Sequence, residues 1–159
     1  MSKLTFITGN LGKVKEVSRY LDIEIEHVSL DQPEIQSLDI EEVVRDKAER
    51  AFAQIRKPVL VEDNSFVFHA LGQLPGPLIK WFLHELGNDG LCALLDGKKD
   101  RSCTATVCYG YHDGTQIHLV SGSMSGNIAL KPKGDNSFGW APLFIPDGMD
   151  RTYAELSDA

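Results

Sequence analysis

The sequence predicts an α/β protein with a mixed β-sheet and flanking helices, and three observations predict it. A hydrophobic strand, Leu4–Ile7, runs through a glycine-containing turn into an amphipathic helix. A long helix with one apolar stripe stops at Lys57-Pro58 and gives way to the apolar strand Val59–Val61. Alternating residues on either side of Asp113-Gly114 read as a β-hairpin. The 159 residues suit one domain, spanning 1–159, that buries about two thirds of its unfolded surface.

The first helix, about Lys13 to Leu21, carries Val14, Val17 and Leu21 at helical spacing. Ile23 and Ile25 alternate with Glu24 and Glu26 as a short half-buried strand, and Ser29 to Leu38 reads as a loop. Asp39 can cap the next helix, with Glu42 three residues on and Ile40, Val43, Val44, Ala48, Ala51, Phe52 and Ile55 on one face. Leu74-Pro75-Gly76-Pro77 forms a stiff turn ahead of a helix from Leu78 to Leu86, whose apolar side is Ile79, Phe82, Leu83 and Leu86. Cys103 to Tyr111 and Gln116 to Ser123 form the hairpin, and loops follow at Ser125-Gly126 and Lys131 to Asn136. Near the end, Thr152 can cap a helix with Glu155 reaching back, though few residues remain to sustain one.

Sixteen Lys and Arg against twenty-three Asp and Glu give a net charge of −7, which argues against sequence-indifferent nucleic-acid binding. A small phosphorylated ligand needs only a few local cations or a metal. Cys92, Cys103 and Cys108 form no Cys-x-x-Cys pair and fit buried free thiols in a reducing compartment. No signal-peptide pattern and no stretch of membrane-spanning length is read, so the expected location is cytoplasmic, without a membrane partner. The histidines His27, His69, His84, His112 and His118 are scattered without metal-ligand spacing, and no nucleophile-elbow pattern supports acyl transfer.

Two junctions carry chemistry. The turn Thr8-Gly9-Asn10-Leu11-Gly12-Lys13 lies where a strand feeds a helix, so unpaired N–H groups and the helix dipole favour an anion there. Thr8 and Asn10 offer side-chain donors, Gly9 and Gly12 allow close approach, and Lys13 adds a full charge. Val14 after Lys13 and the short glycine spacing exclude a Walker loop, and an ordinary glycine-rich connection with a solvated lysine is the alternative. At the second junction, Glu62-Asp63-Asn64-Ser65 follows the strand Val59–Val61, where open α/β sheets place ligand crevices; a plain Asx-type turn is the alternative. Because adjacent strand residues face opposite sides, Glu62 and Asp63 need not share a task.

Glu34, in the loop segment Gln32-Pro33-Glu34-Ile35-Gln36, could join Glu62 and Asp63 in the oxygen-rich, partly hydrated sphere that magnesium takes alongside phosphates, or stay solvated. Lys47 borders the buried stripe of its helix and could reach inward or snorkel to water. Lys80 sits in a first helical turn, where a cation is unfavourable unless an anionic partner is near. Phe138-Gly139-Trp140 could sandwich a planar base or pack into the core.

Taken in order, Thr8-Gly9-Asn10-x-x-Lys13, Pro33-Glu34-Ile35-Gln36, Val61-Glu62-Asp63, Leu74-Pro75-Gly76-Pro77 continuing to Leu83, Phe138-Gly139-Trp140 and Thr152-Tyr153-Ala154-Glu155 resemble inosine triphosphate pyrophosphatase, the Ham1-like family. The resemblance implies magnesium-dependent hydrolysis, with manganese as a possible substitute, of ITP, dITP and XTP to the monophosphate and pyrophosphate. It also implies an elongated mixed α/β fold with two lobes around a central nucleotide cleft, and a homodimer. By position, Thr8, Gly9, Asn10, Leu11, Gly12 and Lys13 would hold phosphates, with Lys47, Asn64 and Lys80 as further substrate contacts. Glu34 and Asp63 would hold the metal, Asp63 with Glu62 would orient and deprotonate water, and Phe138, Gly139 and Trp140 would take the base. These roles suit phosphoryl chemistry, in which cations neutralise the phosphate chain and a carboxylate positions the nucleophile.

Two departures from the family pattern stand out. Ala141 replaces the aspartate that usually follows the second aromatic, and the sequence stops at Ala159 where the family continues into a lysine and a Ser-His-Arg triplet. The expectation is an intact phosphate-cleaving half with reduced or altered discrimination between purines. A nucleotide-binding sensor or dimerisation protein with little turnover, and a pyrophosphatase for another modified nucleotide, are the rivals.

Overall fold

The computed structural model describes residues 3–135 and 139–156. Its elements are β1 (Leu4–Ile7), α1 (Leu11–Leu21), β2 (Ile25–Val28), α2 (Ile40–Ile55), β3 (Val59–Phe68), β4 (Pro75–Gly76), α3 (Ile79–Ala93), β5 (Ser102–His112), β6 (Ile117–Ile128) and β7 (Phe144–Pro146). Short 3₁₀ turns occupy His69–Leu71 and Ala141–Leu143. The strands form one mixed sheet in the order β2-β1-β3-β5-β6-β7, with β4 paired to β3. No helix among the described residues is long and apolar enough to cross a membrane. Packing divides the chain into two compact units, one from the N-terminal part to Asp63 with Val107–Ser121, the other from Asn64–Thr106 with the part from Gly122 onward.

In the first unit β1 pairs in parallel with both β2 (Leu4↔Ile25 to Ile7↔Val28) and β3 (Thr5↔Val59, Phe6↔Leu60). Parallel neighbours need crossovers, and α1 and α2 supply them in opposite directions along the sheet. Right-handed crossovers running in opposite directions place the two helices on opposite faces. The cores agree: Val14 and Val17 of α1 pack with Phe6 and Leu60, while Val44, Ala48 and Ala51 of α2 pack with Ile7, Val59 and Val61. Asn10 caps α1, accepting from Gly12 N at 2.9 Å and Lys13 N at 3.4 Å. Asp39 caps α2 as predicted, accepting from Glu41 N and Glu42 N, although its own N–H goes to Ser37 Oγ rather than to Glu42.

In the second unit Phe66, Phe68, Leu91, Leu95, Cys103, Leu143 and Phe144 form the core, all at most 1% exposed. Burying side chains of this size contributes about 1.5–3 kcal/mol each. The helix predicted to stop at Leu86 does break there: Gly87 takes φ 65°, ψ 179°, and a second helical segment follows to Ala93. Arg101 donates to the carbonyls of Ile128, Cys92 and Ala129, tying the start of β5 to the end of β6. Thr152 keeps half of its predicted capping box. Its N–H donates to Glu155 Oε2 at 2.8 Å, but its hydroxyl donates to the Lys133 carbonyl, and only a single turn forms.

The largest correction concerns β3. The strand does not leave the sheet after Val61 but continues to Phe68, so Asp63-Asn64-Ser65 is extended strand and not an Asx-type turn. Phe66 and Phe68, both 0% exposed, extend the apolar pattern beyond the acidic pair and hold the strand in the sheet. All three cysteines are free and buried, and burial pushes the Cys92 thiol up to about 11 and Cys103 up to about 12, which keeps them protonated and inert.

Candidate active site

The first unit gathers Thr8 to Lys13, Glu34, Lys47, Glu62 and Asp63 at the carboxyl end of β1. The last β1–β3 pair is Phe6↔Leu60, so Glu62 and Asp63 lie just beyond the point where β1 stops and its chain turns into α1. This is also where the crossovers change direction, the place at which open α/β sheets form a crevice.

Strand alternation then distributes the charges. Leu60 faces α1, and two residues on Glu62 meets Lys13 of α1, with Nζ to Oε1 at 2.9 Å and the carboxylate only 4% exposed. Val59 and Val61 face α2, and Asp63 meets Lys47 of α2, with Nζ to Oδ2 at 3.1 Å. Glu34, from the loop before α2, reaches the same Lys47 nitrogen at 3.2 Å, and the Glu62 carbonyl accepts from it at 3.4 Å. Burial pulls the Lys47 ammonium down, but the charges of Asp63 and Glu34 and their hydrogen bonds outweigh it, so its pKa is raised above 10.5. Lys47 therefore reaches inward as a full cation, one of the two fates its position allowed.

The turn itself is organised by its own side chains. Thr8 Oγ1 accepts from Asn10 N at 3.1 Å, and the Asn10 carbonyl oxygen takes the Gly12 and Lys13 amides. Asn10 thus serves first as an acceptor for the helix start, not as the donor expected from sequence. Among the described residues the amides of Gly9 and Leu11 meet no protein acceptor. Thr8 also continues the β2 ladder, its N–H donating to Val28 O at 3.0 Å, while its carbonyl accepts from His27 Nε2 at 2.6 Å. A lone histidine on a four-residue strand carries no sequence signal of that contact, and sequence reading passed over it.

The remaining expected residues belong to the second unit. Lys80 is the second residue of α3, exposed, with its ammonium 5.5 Å from the Trp81 ring centroid. Asn64 follows Asp63 on β3. The Gly139 carbonyl accepts from Asn88 Nδ2 at 3.0 Å. Trp140 is half-buried, stacked on Phe66 at 4.5 Å and edge-on to Phe144 at 5.6 Å. Phe138 lies outside the described residues. Ala141, where the family pattern expects an aspartate, is 0% exposed.

Two carboxylates within 3.2 Å of one ammonium nitrogen, with a second lysine–carboxylate pair anchored on the same strand, form a site for alternating positive and negative ligands. Its donor set is all oxygen from carboxylates, the hard chemistry that magnesium or manganese takes. Among the described residues no three His, Cys, Asp or Glu side chains converge on one point, so an ion held by Glu34 and Asp63 would fill its remaining positions with phosphate and water.

Comparison with known proteins places these features in a lineage. The model of the Ham1 family matches residues 4–159. Inosine triphosphate pyrophosphatases 2 and 1 of Trypanosoma cruzi (strain CL Brener) are 44% and 42% identical over 160 residues, spanning 98% of this chain and 82% of each relative. Among solved structures, a nucleoside-triphosphatase / dITP/XTP pyrophosphatase from Mycobacterium abscessus superposes with a TM-score of 0.82 at 26% identity, covering 98% of this chain and 90% of that one. A HAM1 protein from Coxiella burnetii gives a TM-score of 0.86 at 25% identity over 98% and 87% of the two chains. A family match over nearly the whole sequence, with the same fold in structures that share about a quarter of the residues, makes this chain a member of the Ham1 family.

Proposed function

We propose that this protein hydrolyses noncanonical purine nucleoside triphosphates, ITP, dITP and XTP, to the monophosphate and pyrophosphate. The relatives named inosine triphosphate pyrophosphatase support the substrate class. The observation that carries the reading is Lys47 held between Glu34 and Asp63, next to the part-buried Lys13–Glu62 pair. Hydrolysis of a triphosphate needs cations along the phosphate chain and a carboxylate to position water, and this cluster supplies both.

Glu34 and Asp63 would hold magnesium, or manganese in its place, which when bound neutralises phosphate charge and acts as a Lewis acid. Lys13 binds a phosphate oxygen from the start of α1, its position fixed by Glu62. Lys47 binds another and keeps the two acidic groups from repelling each other. The open amides of Gly9 and Leu11, within the Thr8–Lys13 turn, donate to the remaining phosphate oxygens. Asp63 orients the attacking water and takes its proton, while Glu62, on the other side of β3, serves through Lys13. Asn64 and Lys80 serve as further substrate contacts, and Phe138, Gly139 and Trp140 as contacts to the base. Buried, unpaired thiols suit a cytoplasmic protein, and the homodimer implied by the resemblance belongs to the same reading.

The test is pyrophosphate release from ITP, dITP, XTP, GTP and ATP with magnesium, repeated for Asp63→Asn. The wild type should favour the deaminated purines, and Asp63→Asn should lose about 10²–10⁴ of turnover while still binding triphosphate. Equal, near-zero release from every nucleotide would defeat the proposal and favour a binding protein.

A further inference from the structure

We infer that His27 is a positioning residue for the phosphate-binding turn, an inference that rests on the reading of that turn given above. The Thr8 carbonyl can only accept, so the 2.6 Å contact fixes the proton on His27 Nε2. Register places His27 opposite Phe6 on β2, two residues short of Thr8, and the imidazole spans that offset to reach past the end of β1. Thr8 is thereby clamped twice by β2: its N–H by the Val28 main chain at 3.0 Å and its C=O by the His27 side chain.

The consequence lies in the next peptide unit. The Thr8–Gly9 bond is trans, so its C=O and N–H point in opposite directions. Holding the carbonyl towards β2 aims the Gly9 N–H away from β2. That N–H, with Leu11 N–H, is one of the two amides of the turn that no protein group takes among the described residues. Without the tether the peptide plane can rotate, and an anion must then order it at the moment of binding. The neutral Nε2–H tautomer and the imidazolium both donate from Nε2, so the tether needs no particular charge state.

The experiment compares wild type, His27→Ala and His27→Gln, since the glutamine amide can place an N–H near the position of Nε2. Calorimetric titration with tripolyphosphate and magnesium reads the turn without base recognition or turnover, and steady-state kinetics with ITP reads it in catalysis. His27→Ala should weaken tripolyphosphate binding and raise KM by the same factor, about threefold to tenfold, with kcat within about twofold, the loss expected for one hydrogen bond. His27→Gln should recover most of the binding. Unchanged tripolyphosphate affinity in His27→Ala, equal defects in the two variants, or a wild type that does not bind tripolyphosphate would each overturn the inference. A wild type that binds tripolyphosphate but releases no pyrophosphate from any nucleotide would defeat the proposed hydrolase while leaving the tether measurable.

Discussion

Replacing Lys47 by methionine removes the ammonium and keeps most of the side-chain volume, so its effect separates charge from packing. At 3.1 Å from Asp63, with both side chains about one fifth exposed, the attraction is about 5 kcal/mol at an effective dielectric constant near 20. Desolvation of both groups offsets much of that. Breaking a fully buried pair costs about 3–5 kcal/mol, and discounting for the exposure here leaves about 1–3 kcal/mol. Glu34, 39% exposed, adds little. For a chain of this length the loss corresponds to roughly 3–10 °C in Tm by thermal denaturation. Pyrophosphate release should fall about 10²–10³-fold, since a cation on the developing phosphate charge is gone. The pH dependence is specific. A folded-state pKa raised above 10.5 means that the Lys47 contribution is fully present below that value and is lost only as pH rises through the higher folded value. The Tm difference between wild type and Lys47→Met should therefore stay level from about pH 6 to about pH 9 and narrow only in stronger alkali. A difference that closes within the neutral range, or a variant that keeps near-wild-type turnover, would refute the pairing as the source of either effect.

Two further substitutions probe the turn and the sheet. Asn10→Ala removes the acceptor of two helix-start amides and should cost about 0.5–2 kcal/mol in chemical denaturation, whereas Asn10→Asp should keep the cap and its stability yet raise KM for ITP at least about tenfold by placing a negative charge among the phosphates. Unchanged KM in Asn10→Asp would remove the phosphates from this turn. Gly126→Ala would put a methyl group 2.3 Å from the Ile145 carbonyl oxygen and 2.5 Å from a Phe144 ring carbon, so the β6–β7 pairing must shift, at about 1–3 kcal/mol of stability in a denaturant melt. A melt indistinguishable from wild type would show that the close approach of β7 to β6 is not maintained in solution.

Much was legible in the amino-acid sequence because its signals are local. Asp39 ahead of an apolar stripe, Asp113-Gly114 between alternating runs and the end of the third helix at Leu86 are each set within a turn or two of the chain, and each falls in the structure near its expected place. The charged residues of the cluster were also marked by their types and their neighbours.

Tertiary structure decided what those residues do to one another. Alternation along β3 says that Glu62 and Asp63 face opposite sides, but which helix covers each side follows from the direction of the crossovers, and that alone pairs Glu62 with Lys13 and Asp63 with Lys47. The extension of β3 past its acidic pair depends on Phe66 and Phe68 finding a core built from residues far along the chain. The contact from His27 to the Thr8 carbonyl depends on the parallel register of β1 and β2. Register is a property of two strands brought together, and no window along one chain contains it.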